Sequence, residues 1–245
     1  VARLPKSTPV YGIERLEGSL AERAAEYVPV LREIAGDGPF VLGGWSFGGA
    51  LALEVGRQLR EAGASVGLVA LLDTVQPSEP IPDTDDELVA KWRRYAEFAR
   101  KTYGLDIEVP EDYLREHGEE GLFEMMLGSL GGAANSMGGG VIEHQRASFV
   151  DNQILAGLDK ADFADMGSNV PFVLYRAERM HEGAIELEPR YAKVDPDGGW
   201  GEYVSDLEVV QCRGDHLAIV DEPEVATIGK HLSQRLAALD APQEN

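Results

Sequence analysis

Three places in this chain carry residue types that move acyl groups. Gly44-Trp45-Ser46-Phe47-Gly48 has the form G-x-S-x-G, with one hydroxyl two positions from a glycine on either side. On a sharp strand-to-helix turn, small flanking residues let the backbones approach and push the serine out as a nucleophile. Such a hydroxyl needs a base, and five histidines are available: His117, His144, His181, His216 and His231. The base in turn needs a carboxylate that holds one imidazole nitrogen and steadies the imidazolium. Asp73 and Glu178 both follow apolar runs and are the candidates. Nucleophile, base and acid together would perform acyl transfer through a covalent intermediate.

To meet, these side chains must sit on one edge of one sheet. Phe40-Val41-Leu42-Gly43 is an apolar run just before the serine, and Val66 to Leu72 is a second. Between them Leu51, Val55, Leu59 and Ala62 share one helical face, and Gly63 is placed to end that helix. Strand, helix and strand with short connections predict a right-handed crossover and a parallel sheet. Further strands are predicted at Val170–Ala177 and Leu207–Cys212, then a last helix carrying Val225, Ile228, Leu232 and Leu236. Upstream, Ser19 and Glu22 form a capping-box pattern for a helix to about Ala35, with Pro29 as a kink, and Pro9–Ile13 is a short strand candidate.

Parallel strands share their carboxyl ends, so Ser46 and Asp73 fall on one edge. His216 reaches the same edge through Gly214-Asp215 ahead of the final helix and is the expected base. His231 lies inside that helix, where a surface position is expected. The helix that begins after Ser46 would offer the Phe47 backbone amide to an oxyanion. Asp73 is favoured as the acid because it directly follows Leu71-Leu72, whereas Glu178 sits in the charged stretch Arg176-Ala177-Glu178-Arg179.

Residues from about 83 to 165 hold helical patterns and no strand pattern. Leu88, Trp92, Tyr95 and Ala99 recur at helical spacing, Gly131 to Gly140 contains five glycines and predicts a hinge or loop, and a further helix is expected over Val141–Leu155. The predicted organisation is an α/β core of residues 1–82 and 166–245, interrupted by a helical lid insertion at residues 83–165. Gln145, Ser148, Phe149 and Asn152 share one face of the insertion's last helix and are candidate substrate contacts; a solvent-facing side fits that pattern equally. Lys91, Arg93, Arg94, Arg100 and Lys101 place five of the 22 basic residues in one short stretch. Asp83, Asp85, Asp86 and Glu87 precede them, so the helix dipole explains the arrangement better than a docking surface does.

The 245 residues carry a formal charge of −21, with 44% hydrophobic and 27% charged residues. That composition fits a globular domain with a sizeable core. It argues against nucleic acid or an anionic membrane as the main partner. The single cysteine, Cys212, excludes an intramolecular disulfide and suits a reducing, cytoplasmic setting. No run predicts a membrane span, and no spacing such as H-E-x-x-H predicts a metal site.

Gly44-Trp45-Ser46-Phe47-Gly48-Gly49, Leu71-Leu72-Asp73 and Gly214-Asp215-His216 resemble the three motifs of the thioesterase domains that end polyketide and nonribosomal peptide synthases. In that family the acid follows the strand beside the nucleophile, here 27 positions on (73 − 46), which supports Asp73 over Glu178. The strings at 11–19, 142–146, 188–191 and 197–207 resemble a narrower group, the C-terminal thioesterase domains of polyketide synthases that condense mycolic acids. The resemblance runs from the first residues to about Leu236 and implies the α/β-hydrolase fold, a mostly parallel sheet with a helical lid.

It also implies a substrate. A long α-alkyl β-ketoacyl chain, a mycolate precursor, would arrive as a thioester on the phosphopantetheine of an acyl carrier protein domain of the same synthase. It would pass to Ser46 and leave on a trehalose hydroxyl or on water. No cofactor is expected on the domain itself. Leu187 and Tyr191, close to Arg190, are expected to line the acyl groove. Members of the family carry an earlier strand and a His-Pro-Ala-Gly-Gly-like loop whose amide is a second oxyanion donor. The chain begins at Val1 beyond that point, so the core is expected to lack this segment. Losing one such donor costs ~10²–10³ in rate. The rival readings are a stand-alone hydrolytic thioesterase or esterase, and a non-catalytic ligand-binding member of the fold.

Overall fold

The computed structural model describes residues 3–77, 79, 82, 84–104, 106–137 and 139–239, without the side chains at 103, 127, 129–137 and 139–145. In chain order the elements are α1 (Leu20–Ala35), β1 (Phe40–Trp45), α2 (Phe47–Glu61), β2 (Val66–Leu72), α3 (Asp85–Tyr103), α4 (Glu111–Met137), α5 (Gly139–Ala156), α6 (Ala164–Asn169), β3 (Phe172–Arg176), α7 (Glu182–Leu187), β4 (Leu207–Gln211) and α8 (Glu224–Leu239). Helix α1 starts as its sequence dictates. The Glu22 amide donates to Ser19 Oγ at 3.3 Å, and the Ser19 amide donates to the Glu22 carboxylate at 2.9 Å.

The chain divides into two compact units. One comprises residues 1–76, 154–179 and 194–245, the other residues 77–153 and 180–193. The first contains the sheet. Its four strands lie in the order β1-β2-β3-β4, all parallel. Trp45 pairs with Leu72, Leu72 with Tyr175, and Arg176 with Gln211, so the carboxyl ends of the strands are level. Both faces are covered, which is why the central strands read as continuous apolar runs rather than alternating ones. Leu68, Ala70, Val173, Tyr175 and Cys212 pack with Ile219 and with Ile228 of α8. Helix α2 packs on β1 and β2, and α1 packs on α2. Leu53, Leu59, Leu71, Val173 and Leu174 are fully buried, each contributing about 1.5–3 kcal/mol of apolar burial.

The second unit is helical. Val89, Trp92, Leu114, Leu122 and Phe149 form its core. Thr84 caps α3 by accepting from the Glu87 amide, and Gly104 ends it in the left-handed conformation. Within α4, Gly118 at φ +69° separates two helical stretches. Four members of the basic cluster on α3 face carboxylates of the same unit: Lys91 with Glu119 at 2.6 Å, Arg93 with Glu111, Arg94 with Glu87 at 2.8 Å and Lys101 with Glu186 at 3.6 Å.

Two expectations need correction and one needs refining. Residues 9–13 form no strand; Val10, Tyr11 and Ile13 are exposed, and a short apolar run without a paired neighbour has no ladder to join. The glycine-rich stretch is helical at 131–137 and at 139–140, with residue 138 outside the description. His231 is half-buried, its ring nitrogens meeting the Tyr175 hydroxyl at 3.0 Å and Glu208 Oε1 at 3.2 Å. Among the described residues no helix is long and apolar enough to cross a membrane.

Candidate active site

The turn after β1 is under strain. Ser46 holds φ +54° and ψ −122°, a conformation that only glycine adopts readily. Small neighbours permit it: a Cβ at Gly44 would fall 2.1 Å from the Gly48 carbonyl carbon, and one at Gly49 would fall 1.8 Å from Thr74 Oγ1. The Ser46 amide donates to Leu72 O at 2.9 Å, and the Thr74 hydroxyl donates to Ser46 O at 2.8 Å. Trp200, fully buried, donates its indole N–H to Thr74 O at 2.7 Å, fixing the backbone just after the second strand. A serine ahead of a helix ordinarily caps it with its hydroxyl. Ser46 makes no such bond, so capping does not consume its oxygen. Phe47 opens α2, and its amide is among the four that a helix leaves without an internal partner.

Asp73 directly follows β2, with φ +48°, and is buried. Its Oδ2 lies 2.8 Å from His216 Nδ1. Its Oδ1 accepts from Arg176 Nη1 at 2.8 Å and from the Ala177 amide at 3.0 Å. Burial pushes the carboxyl up, but the His216 hydrogen bond, the Arg176 charge and the Ala177 amide outweigh it and hold Asp73 below the ordinary carboxylate range. His216 is buried, and its amide donates to Arg179 O at 3.1 Å. The Trp45 ring stacks on the imidazole at 5.0 Å between centroids, and its indole N–H donates to His216 O at 3.1 Å. The residue before Ser46 is therefore in direct contact with His216.

Glu178, the rival acid, is elsewhere engaged. Its carboxylate accepts from the Gly214 amide at 2.9 Å and its own amide donates to Gly214 O at 3.0 Å, which fixes the turn leading to His216. Asp215 Oδ1 accepts from the Leu217 and Ala218 amides and closes that turn on the other side.

The structure thus gathers Asp73, His216 and the Ser46 turn within the sheet-bearing unit. The six proposed substrate contacts belong to the helical unit. Phe149 serves that unit's core, stacked on Phe123 at 4.2 Å, while Ser148 is half-buried and Asn152 exposed. The Gln145 side chain lies outside the described residues. Leu187 and Tyr191 are half-buried, and the Leu187 carbonyl accepts from Arg94 Nε at 3.0 Å. Among the described residues no group of His, Cys, Asp and Glu is arranged to hold a metal ion. Sequence reasoning misses Arg176 and the stacking role of Trp45. A charge closing an otherwise apolar strand, beside a carboxylate at the next strand's end, is the signal that points to Arg176.

Known proteins resemble this chain over parts of its length. The model of the Thioesterase domain family matches residues 2–115, a span that includes Ser46 and Asp73 and stops short of His216. Thioesterase pytI of Aspergillus terreus is 36% identical over 115 residues, which is 41% of this chain and 37% of pytI. The non-reducing polyketide synthase stmB of Aspergillus ustus is 36% identical over 89 residues, 33% of this chain and 4% of the synthase. The match therefore spans well under half the length of either curated relative. A solved four-domain nonribosomal peptide synthetase bound to AMP and glycine matches 88% of this chain and 16% of its own, at 25% identity and TM-score 0.54. The chain has the α/β-hydrolase fold and is similar to thioesterase domains of polyketide and nonribosomal peptide synthases.

Proposed function

We propose that this chain is a serine thioesterase domain of polyketide-synthase type, with Ser46 as nucleophile, His216 as general base and Asp73 as the acid that orients it. One observation carries the reading: the buried 2.8 Å contact between Asp73 and His216, at the sheet edge where Ser46 occupies a strained turn. With Asp73 accepting the Nδ1 proton, Nε2 keeps the lone pair that takes the Ser46 proton. Ser46 Oγ attacks the thioester carbonyl, and the Phe47 amide at the positive end of α2 donates to the developing oxyanion. Collapse breaks the C–S bond and the thiolate leaves with the proton held by His216. An acceptor hydroxyl then gives its proton to His216 and attacks the acyl-serine, and the second collapse returns the proton to Ser46.

The acyl group would arrive on the phosphopantetheine of an acyl carrier protein, a reading supported by the similarity to a polyketide synthase. Such chemistry would belong in the cytoplasm. The finer substrate rests on the strings at 11–19, 142–146, 188–191 and 197–207, which resemble domains that release mycolate precursors. On that basis the acyl chain is a long α-alkyl β-ketoacyl group and the acceptor a trehalose hydroxyl. Water is the second acceptor, favoured by the similarity to pytI, which is named a thioesterase.

Intact-mass analysis after treatment with a fluorophosphonate, and separately with a decanoyl-N-acetylcysteamine thioester, should show one adduct that Ser46→Ala abolishes. A folded chain that takes neither reagent would refute catalysis and leave the ligand-binding alternative. Discharge of the acyl-enzyme with trehalose present decides the acceptor; free acid as the sole product would remove trehalose.

A further inference from the structure

We infer that Arg176 is a positioning residue of this centre: its buried guanidinium locks the Asp73 carboxylate so that a single oxygen is left for His216. The inference rests on the roles proposed above for Ser46, His216 and Asp73. Arg176 closes β3, and its side chain is only 6% exposed while that of Asp73 is fully buried. Its Nη1 donates both to Asp73 Oδ1 at 2.8 Å and to the Ala177 carbonyl at 2.7 Å. The Ala177 amide donates to the same Oδ1 at 3.0 Å. Two donors therefore converge on Oδ1, and turning the carboxylate would break both bonds. The remaining oxygen, Oδ2, is fixed at 2.8 Å from His216 Nδ1.

The arrangement is expensive as a structural device. Arg176 Nε is buried without a hydrogen-bond partner, so the guanidinium is not satisfied by its surroundings. A buried Arg–Asp pair commonly adds less stability than apolar side chains of the same volume. What this pair does supply is the aim of the catalytic acid.

It also sets the charge balance. The titratable groups acting on Asp73 are His216 from the loop after β4 and Arg176 from β3; Cys212, just past β4, is itself pushed up by burial and by the charges of Glu224 and Asp73. Arg176 offsets the Asp73 charge, so the imidazolium formed in catalysis is stabilised mainly through one directed hydrogen bond. Without the guanidinium, Asp73 would bind a proton more readily, because the Arg176 charge is one of the causes that hold its carboxyl low. The acid limb of kcat/KM would then move to higher pH.

The test compares Arg176→Met, Arg176→Lys and the parent chain on the decanoyl-N-acetylcysteamine thioester across pH. Arg176→Met should lower kcat at least ~10-fold, leave KM within about twofold, and move the acid limb to higher pH. Arg176→Lys restores the charge without the planar fork, so the limb should return to its parent position while kcat stays low. A folded Arg176→Met variant whose limb does not move overturns the inference, whatever its kcat. If that variant does not fold, Arg176→Lys decides: a lowered kcat with an unmoved limb supports the inference, and parental kcat overturns it. Fluorophosphonate labelling of Ser46 separates the two levels. An unlabelled parent chain sinks the thioesterase reading and this inference with it, whereas a labelled parent with unaffected Arg176 variants sinks the inference alone.

Discussion

Replacing Asp73 by asparagine tests the site sharply, because the surroundings dictate how the new side chain must turn. At the Oδ1 position the Arg176 Nη1 and the Ala177 amide both donate, at 2.8 and 3.0 Å. An amide nitrogen placed there would face two donors, so the carbonyl oxygen of the new side chain takes that position. Its NH₂ then stands where Oδ2 stood, 2.8 Å from His216 Nδ1. It donates, Nδ1 must accept, and the imidazole proton moves to Nε2. In that tautomer His216 presents an N–H to Ser46 and cannot take its proton. A wrong tautomer in such a triad costs ~10⁴ in kcat, which is about 5.5 kcal/mol of barrier at about 1.36 kcal/mol per tenfold. Stability falls as well, since removing one partner of a buried ion pair costs about 3–5 kcal/mol. The assay is turnover of the decanoyl-N-acetylcysteamine thioester at neutral pH, beside circular dichroism to confirm the fold. A folded Asp73→Asn variant that loses less than tenfold in kcat would refute the assignment of Asp73.

Gly49→Ala puts a Cβ 1.8 Å from Thr74 Oγ1 and 2.8 Å from Thr74 Cβ, so Thr74 must move and its bond to Ser46 O breaks. Overpacking at about 1–3 kcal/mol and one lost hydrogen bond at about 1 kcal/mol should appear in urea unfolding; an unchanged midpoint would contradict the described turn. Glu178→Gln keeps an oxygen for the Gly214 amide and should hold kcat within about twofold; a 100-fold loss would transfer the acid's role to Glu178. Asp73 is held low in the folded chain, so the unfolded chain takes up its proton first as pH falls. The stability that this provides is complete above about pH 4 and is lost as pH falls through the folded value. Acid unfolding followed by tryptophan fluorescence should therefore set in below about pH 4, and Asp73→Asn should flatten that dependence; equal acid sensitivity in both chains would count against it.

How far such a site can be read from residues alone depends on the range of the constraint behind each one. The Ser46 turn is legible because its demands are local: glycines at 44, 48 and 49 between an apolar strand and an amphipathic helix leave few other conformations. The pairing of Asp73 with His216, 143 positions apart, is legible only through a rule of topology, that parallel strands end on one edge. Arg176 fails both tests. The string Arg176-Ala177-Glu178-Arg179 looks like a solvated turn, and nothing local says that its first charge is buried while its third residue is exposed. The register does: Arg176 still pairs with Gln211 inside the ladder, beside the end of β2, whereas Glu178 lies past it. Phe149 shows the same limit on a helix. Periodicity groups it with Gln145, Ser148 and Asn152 but does not say which way that face turns, and the aromatic cluster of Trp92 and Phe123 settles it inward. In each case where the residues mislead, the missing information is which neighbour, distant in sequence, removes the side chain from water. A charge at the end of a buried strand therefore warrants a search for its partner among the carboxylates ending adjacent strands, and here that search leads from Arg176 to Asp73.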